Sequence, residues 1–349
     1  MNTMFDTLND PTHVFVIAEA GSNWKCGSYH DDLNQAKKLI KVAANAGADA
    51  VKFQTYRPET TYVSNPGGSK TLSYSENIDT IFEKHSMPYE IIPELVEFCK
   101  EENILFMSTP FSVQDAKAID PYTKIHKVAS FEINHVKLLE FLATTKKPII
   151  VSTGSSTYDE IDFCVNLLQK NGCDKIILLQ CTSKYPCPID ALNLSVIPKM
   201  KSKYNLPVGF SDHSVEPIIA PLLSIGLGST IIEKHFTLDK NLPGPDHFFA
   251  LNPNELNQMI DSIRKAELAH GTGNKEILKE ELETRKFAKR SLQAIQNISK
   301  GDILELEKNF DILRPGDRIR GLDAQFSFIL DGKKSKIDVA KGDGIIEYE

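Results

Sequence analysis

Short runs of apolar and β-branched residues recur along the first two thirds of the chain, separated by stretches with apolar residues at three-to-four spacing. This alternation predicts strands of a parallel sheet joined by crossover helices. The eight predicted strands are residues 15–21, 48–55, 104–111, 124–130, 148–154, 175–183, 207–214 and 230–237.

Helix signals between these runs support the interpretation. Thr157 and Glu160 form a capping-box pattern ahead of one predicted helix. Asn252 and Glu255 have the same spacing ahead of another, which Gly271 is expected to end. The stretches between the predicted strands are therefore expected to be helical crossovers.

Eight strand–helix repeats over roughly 220 residues favour a closed (β/α)8 TIM barrel. The alternative, an open doubly wound sheet, needs a glycine-rich turn after the first strand, and residues 21–24 are GSNW. After Gly273 the pattern changes to a charged segment and then to short β-like stretches with turns. We predict a barrel domain at 1–273, a linker helix at 274–288 and a small all-β domain at 289–349.

Composition narrows the class of protein. A chain of 349 residues with 41% hydrophobic content can bury a sizeable core. A formal net charge of −7 argues against a nucleic-acid partner held by bulk charge. No apolar run reaches membrane-spanning length and no secretory signal is visible, so we expect a cytoplasmic protein without a membrane partner. The six cysteines form no CxxC pair and are expected to be reduced.

Polar residues gather at the carboxyl ends of the predicted strands, where TIM barrels carry their chemistry. Strand alternation places Glu233 and His235 on one face and Lys234 on the other. Lys127 and Ser130 have opposite parity, so both reach the barrel mouth only if the chain bends between them. The strand-end residues are Glu19, Lys52, Gln54, Thr109, Lys127, Ser130, Glu132, Ser152, Ser183, Tyr185, Ser211, His213, Glu233 and His235.

Each of these residues also has an ordinary structural interpretation: a satisfied histidine, a helix-capping hydroxyl or an ion-paired lysine. Their shared position favours a site. Lysines and hydroxyls suit a phosphate- and carboxylate-bearing ligand, and two histidines on neighbouring strands suit a divalent ion. The acids Glu19, Glu132 and Asp246 suit hydrogen bonding to sugar hydroxyls or proton transfer.

These residues lie in motifs that resemble the sialic acid synthase family, which makes nine-carbon keto-acid sugars. The motifs follow one another in order along almost the whole chain. They are IAEAG (17–21), AGADAVKFQT (46–55), MSTPF (107–111), KVASFE (127–132), STG (152–154), GFSDHS (209–214), EKHFT (233–237) and GPDH (244–247). The resemblance implies a (β/α)8 barrel followed by a small antifreeze-like (SAF) β domain.

The resemblance also implies a reaction: condensation of phosphoenolpyruvate (PEP) with an N-acylated hexosamine, with release of phosphate by C–O cleavage. His213 and His235 would hold a divalent metal, typically Mn2+ with Mg2+ or Co2+ as alternatives, which polarises the sugar aldehyde. Glu132 would be a candidate acid or base and Glu19 an active-site carboxylate. Lys52 and Lys127 would be catalytic as well, as the cations that stabilise the phosphate charge. The implied PEP contacts are Lys52, Thr109, Lys127, Ser130, Ser152 and Ser211. The implied sugar contacts are Gln54, Glu132, Ser183, Tyr185 and Asp246.

In this family the β domain of one subunit covers the partner's barrel and inserts an arginine. Residues 314–316, Arg-Pro-Gly, match that motif. The resemblance therefore implies a domain-swapped homodimer in which Arg314 completes the neighbouring sugar site. The plainer alternative is a surface turn.

Departures from the family pattern leave the acceptor open. Trp24 stands where a histidine is expected, and Ser183 replaces an asparagine, as in relatives that make pseudaminic acid. The loop at 244–247 is similar to the sialic and legionaminic branch. The resemblance therefore implies an N-acylated hexosamine, such as N-acetylmannosamine or a 2,4-diacetamido-6-deoxy hexose, without selecting one.

Three other functions are considered beside this one. The first is another metal-dependent PEP-condensing barrel that makes a shorter 3-deoxy keto acid. The second is a metal-independent aldolase with a Schiff base on Lys52 or Lys127. The third is a non-enzymatic carbohydrate- or ice-binding protein, suggested only by the β domain.

Overall fold

The computed structural model describes residues 4–10, 12–68 and 77–349. The chain divides into two compact units, Met1–Gly271 and Thr272–Glu349. The predicted boundaries at 273 and 288 stay predictions, and residues 1–3, 11 and 69–76 of the predicted barrel domain lie outside the described residues.

The first unit contains eight parallel strands. They are β1 (Phe15–Gly21), β2 (Ala50–Thr55), β3 (Leu105–Pro110), β4 (His126–Val128), β5 (Ile149–Ser152), β6 (Ile176–Cys181), β7 (Val208–Asp212) and β8 (Ile231–His235). Their order is β3-β2-β1-β8-β7-β6-β5-β4, and β3 also contacts β4. This barrel-like sheet is consistent with the predicted (β/α)8 fold.

Helices connect the strands of the first unit. They are α1 (Met4–Leu8), α2 (Tyr29–Asn45), α3 (Pro58–Thr61), α4 (Ile78–His85), α5 (Ile92–Glu101), α6 (Val113–Ile119), α7 (Val136–Thr144), α8 (Tyr158–Lys170), α9 (Val196–Tyr204), α10 (Ile219–Gly226) and α11 (Pro253–His270). The predicted capping boxes are confirmed at α8, where Thr157 is the N-cap, and at α11, where Asn252 is. No described helix is long and apolar enough to cross a membrane, and the expected cytoplasmic location stays a prediction.

Side-chain alternation explains why the strand ends are polar. On β1 the face that carries Ile17 next carries Glu19, and on β8 the face that carries Ile231 next carries Glu233 and His235. The apolar members of these faces form one buried cluster with Leu8 of α1, whereas the opposite faces belong to the main core cluster with the helices. The cluster with Leu8 also contains Phe15, Ala50, Met107, Ile125, Ile150, Ile177 and Leu179.

The chain bends directly after the fourth strand, as the opposite parity of Lys127 and Ser130 requires. β4 ends at Val128, and a short 3-10 helix, Ser130–Glu132, follows at once. The Ser130 hydroxyl accepts a hydrogen bond from the backbone N–H of Gly154 at 3.0 Å. Lys127 and Ser130 therefore both lie at the carboxyl end of the sheet.

The second unit has a small antiparallel sheet of β9 (Ser291–Ala294) and β10 (Phe310–Leu313). Its helices are α12 (Leu282–Ala288) and α13 (Ser327–Leu330). β9 ends at Ala294, and Ile298 makes an isolated bridge with Val339. The unit has its own core, which includes Leu292 and Phe310.

Candidate active site

A buried ion pair joins the carboxyl ends of β1 and β2. The Lys52 ammonium lies 2.5 Å from Oε2 of Glu19 and donates to the Thr109 hydroxyl at 3.0 Å. Gln54 donates to the other Glu19 oxygen at 2.8 Å. Register explains the grouping, since Glu19 pairs with Lys52 across β1–β2, and Gln54 with Thr109 across β2–β3.

A second lysine shares the same region. Lys127 donates to the Ser152 hydroxyl at 2.7 Å and to the Val128 carbonyl at 3.2 Å. Oε1 of Glu233 lies 3.8 Å from the Lys127 ammonium and 3.6 Å from that of Lys52. Glu233 is thus the carboxylate between the two cations. The family resemblance assigns no role to Glu233, although its shared face with His235 was the available signal.

Burial and neighbouring opposite charges shift the pKa values of these groups in opposite directions. Burial raises the pKa of Glu19 and lowers the pKa of Lys127. Burial also lowers the pKa of Lys52, but Glu19 and Glu233 outweigh it, so the net direction is upward. Burial raises the pKa of Glu233, but the two lysines outweigh it and keep this carboxyl ionised. The region therefore presents two buried lysine side chains, accompanied by two carboxyl groups, to an anionic ligand.

Hydroxyl groups add donors around the two lysines. Ser211 donates to Oε1 of Glu233 at 3.4 Å. Ser130 lies against Gly154, as does the Ser183 hydroxyl, which is buried and has no hydrogen-bond partner among the described residues. A Cβ at Gly154 would overlap both hydroxyls, so this backbone position requires glycine. The arrangement offers several hydroxyls to a polyanionic ligand.

An aromatic group surrounds the two histidines at the ends of β7 and β8. The rings of His213 and His235 have centroids 5.6 Å apart. The Tyr185 ring stacks on His213 with centroids 4.1 Å apart, and Phe249 packs on His235 at 5.1 Å. Burial lowers the pKa of His213 to about 3. The His213 ring is therefore neutral at physiological pH.

The histidine pair fits a divalent metal ion. Nδ1 of His213 lies 2.9 Å from the Thr182 carbonyl, which fixes the proton on Nδ1 and leaves Nε2 with its lone pair. Nδ1 of His235 is buried without a hydrogen-bond partner in the described part of the chain. That part contains no group of three or more His, Cys, Asp or Glu arranged for a metal. The two imidazoles would therefore need water or substrate oxygens as further ligands.

Glu132 is the remaining carboxyl group near the lysines. It lies in the 3-10 helix after β4 and is 8% exposed, and its Oε2 has no hydrogen-bond partner among the residues described. Burial raises the pKa of Glu132 to about 7, although Lys127 opposes the shift. This carboxyl can exchange a proton close to neutral pH.

Asp246 comes from the loop between β8 and α11. Its Oδ2 accepts hydrogen bonds from the Ser22 backbone N–H at 3.1 Å and from the Ser22 hydroxyl at 2.9 Å. Trp24, by contrast, is 1% exposed and belongs to the main hydrophobic core. Trp24, which stands where a histidine is expected in the family, is therefore a residue of the hydrophobic core.

A buried lysine organises the loop that carries His213. Lys234 donates to Oδ2 of Asp212 at 2.6 Å, to the Ser214 carbonyl at 2.6 Å and to the Glu216 carbonyl at 3.0 Å. It lies on the face of β8 opposite His235, as strand alternation predicts. The three contacts fix the chain on both sides of His213.

Arg314 belongs to the second unit. It follows β10 directly and its side chain is exposed. Its predicted role at a neighbouring sugar site stays a prediction.

The fold and the site together define a class: a (β/α)8-type barrel whose strand ends bring together two buried lysines, several hydroxyl groups and two histidines. The NeuB family matches residues 39–275. The chain belongs to this family, that of the sialic acid synthases, which confirms the family identified from the sequence motifs.

Three relatives show the extent of the similarity. The spore coat polysaccharide biosynthesis protein SpsE of Bacillus subtilis is 37% identical over 97% of this chain and 94% of its own. Its crystal structure has a TM-score of 0.65 over 96% of this chain and 94% of that chain. A pseudaminic acid synthase of Campylobacter jejuni is 37% identical over 98% of both chains. An N,N'-diacetyllegionaminic acid synthase of the same species is 38% identical over 88% of this chain and 92% of its own.

Proposed function

We propose that this protein is a nonulosonic acid synthase, a transferase that forms a carbon–carbon bond between PEP and an N-acylated hexosamine and releases phosphate. The observation that carries the proposal is Glu233 between two buried lysines, two residues before His235 on the same face of β8. A pseudaminic and a legionaminic acid synthase are among the relatives. The acceptors we propose are N-acetylmannosamine and 2,4-diacetamido-6-deoxy hexoses.

PEP would bind through its phosphate and carboxylate groups to the lysine region. Lys52 and Lys127 supply charge, and hydroxyl groups supply further hydrogen bonds. Burial alone would favour loss of the Lys127 proton, and Glu233 opposes that loss. The carboxylate between the lysines therefore favours the protonated form of Lys127 before PEP arrives. The proposed hydroxyl donors are Thr109, Ser130, Ser152 and Ser211.

The acceptor would bind beside the histidines. His213 and His235 would hold the divalent ion, for which we propose Mn2+, and such an ion polarises an aldehyde as a Lewis acid. Tyr185 packs across the His213 ring, which restricts the orientation of that ring. The side chains proposed to orient the sugar are Gln54, Ser183, Tyr185 and Asp246.

The reaction forms one carbon–carbon bond and breaks one carbon–oxygen bond. Carbon 3 of PEP attacks the aldehyde carbon, and the aldehyde oxygen takes up a proton. Water adds to carbon 2 and loses one proton, which balances the proton taken up by the aldehyde oxygen. The remaining hydroxyl on carbon 2 gives its proton to the departing phosphate as the bond from carbon 2 to the bridging oxygen breaks, and carbon 2 becomes the ketone. Lys52 and Lys127 stabilise the charge on the departing phosphate. Glu132, with a pKa near neutrality, is the side chain proposed to exchange a proton with the sugar.

Phosphate release from PEP tests this function. The assay contains Mn2+ and one acceptor at a time: N-acetylmannosamine, a 2,4-diacetamido-6-deoxy hexose, or mannose as a control. PEP labelled with 18O at the bridging position should transfer the label to phosphate, because the C–O bond breaks. Release with an N-acylated acceptor should disappear with chelator and in His235→Ala.

The same assay separates the alternatives. Chelator-insensitive turnover, with borohydride trapping of substrate on Lys52 or Lys127, would favour the Schiff-base aldolase. Release only with a sugar phosphate would favour the shorter 3-deoxy keto acid. Absence of release with every acceptor, although Mn2+ binds, would contradict the proposed synthase.

We further propose that residues 289–349 form the SAF domain of a domain-swapped homodimer, with Arg314 completing the partner's sugar site. Support comes from the Arg-Pro-Gly motif at 314–316 and from the exposure of Arg314 directly after β10.

A further inference from the structure

We propose that Ser22 is a positioning residue that sets acceptor selectivity by fixing the carboxylate of Asp246. The inference rests on the proposed function, since it takes Asp246 to face the acceptor sugar. Ser22 lies outside the motifs that identify the family and makes its contact across 224 residues of sequence.

Ser22 donates two hydrogen bonds to one oxygen of the Asp246 carboxylate. Both the backbone N–H and the hydroxyl of Ser22 donate to Oδ2, at 3.1 and 2.9 Å. Oδ1 of Asp246 has no hydrogen-bond partner among the described residues. Two donors on one oxygen fix the rotation of the carboxylate and leave the other oxygen available to a ligand.

The backbone at the end of β1 brings Ser22 to this carboxylate. Gly21 has a left-handed φ of +51°, and a Cβ there would lie 2.6 Å from Oδ2 of Asp246 and 3.5 Å from Cε1 of His235. The carboxylate therefore lies against Gly21, beside the His235 ring. This is the edge of the site where the acceptor is proposed to bind.

The loop that carries Asp246 has an anchor of its own. His247 is 1% exposed, and its Nδ1 lies 2.6 Å from the Thr237 hydroxyl. Because His247 holds the loop backbone, Ser22 is left to set the direction of one side chain. An ionised carboxylate only accepts hydrogen bonds, so a fixed Oδ1 selects acceptors that present a hydroxyl or amide N–H at that point.

Ser22→Ala tests the inference in the full-length protein. It removes one hydrogen bond to a charged group, so we expect the KM for the N-acylated acceptor to rise about tenfold. The KM for PEP should stay within about twofold, because the lysine region is untouched. Selectivity for that acceptor over mannose, measured as the ratio of kcat/KM values, should fall by the same factor as the KM rises.

A double-mutant cycle shows whether Ser22 acts through Asp246. In an Asp246→Ala background, Ser22→Ala should add no further change in acceptor KM. Ser224→Ala, which removes a buried hydroxyl that donates to the Pro221 carbonyl on α10, is the matched control and should leave both KM values unchanged.

The outcomes separate this inference from the proposed function. An active wild type whose acceptor KM is unchanged by Ser22→Ala would overturn the inference alone. An equal rise in both KM values, or full additivity with Asp246→Ala, would also overturn it, because either indicates a general structural role. A wild type inactive with every acceptor would remove the proposed function and this inference together.

Discussion

Three buried glutamates show how a side chain's neighbours determine its chemistry. Glu233 lies between two lysines, which hold its pKa down against burial. Glu19 has one lysine at 2.5 Å, and burial still raises its pKa. Glu132 has no ion pair among the described residues, and burial raises its pKa to about 7. Glu132 is therefore a group that titrates near neutral pH.

A pH-dependent stability difference follows for Glu132→Gln. The folded protein holds this proton more tightly than the unfolded chain, so the Glu132 contribution to the free energy of unfolding falls as pH rises from 4.5 to about 7. Over this range we expect the variant to gain about 3 kcal/mol relative to wild type. Urea unfolding at pH 4.5 and pH 8, followed by Trp24 fluorescence, measures the difference, because Trp24 lies in the core of the first unit.

The control for this prediction is Glu97→Gln, which changes a carboxyl group whose side chain is 68% exposed. Its stability relative to wild type should be nearly the same at both pH values. A Glu132→Gln difference that also stays constant with pH would show that Glu132 does not carry the shifted pKa.

At the scale of elements, the loop after β7 depends on Lys234 of β8. Lys234→Met leaves Asp212, which is 1% exposed, without its cation, and removes the donor from two carbonyls. We expect a loss of about 3–5 kcal/mol in the free energy of unfolding. We also expect weaker Mn2+ binding, because the loop carries His213. Urea unfolding without metal and calorimetric Mn2+ titration measure the two effects.

Lys265→Met is the matched control for the loop. Lys265 pairs with Asp261 at 2.7 Å, but both side chains are more than 70% exposed, so little stability should be lost. Equal stability of the two variants would contradict a structural role for Lys234. Unchanged Mn2+ affinity in Lys234→Met would limit that role to folding.

Helix α1 contributes to the barrel interior through Leu8. This side chain is fully buried in the cluster formed by the inward apolar residues of the strands. Leu8→Ala should cost about 2–5 kcal/mol of the free energy of unfolding, because it opens a cavity in a packed layer. Leu268→Ala, at an 83% exposed position of α11, should change stability little. Equal effects in urea unfolding would show that α1 does not contribute to the core.

At the scale of the whole molecule, the sequence predicted the parts that depend on local pattern. Strand alternation places Ile17 below Glu19 and Ile231 below Glu233, so the eight strands and their polar ends could be read from spacing. The contact of Ser22 with Asp246 could not be predicted from spacing, because it joins loops 224 residues apart. The second unit was harder still, since its described strands are four residues long and isolated bridges supply much of the remaining pairing.

The proposed dimer predicts that two inactive variants complement each other, which variants of a monomer could not do. If Arg314 completes the partner's site, Arg314→Ala and His235→Ala should each lose most activity. Random mixing of the two by co-expression should restore about a quarter of wild-type activity, since half of the dimers then contain one intact site. That site combines the barrel of the Arg314→Ala subunit with the arginine of the His235→Ala subunit. If the mixture is no more active than the separate variants, Arg314 acts within its own subunit or has no role in activity. Sedimentation of the wild type would decide whether the dimer exists.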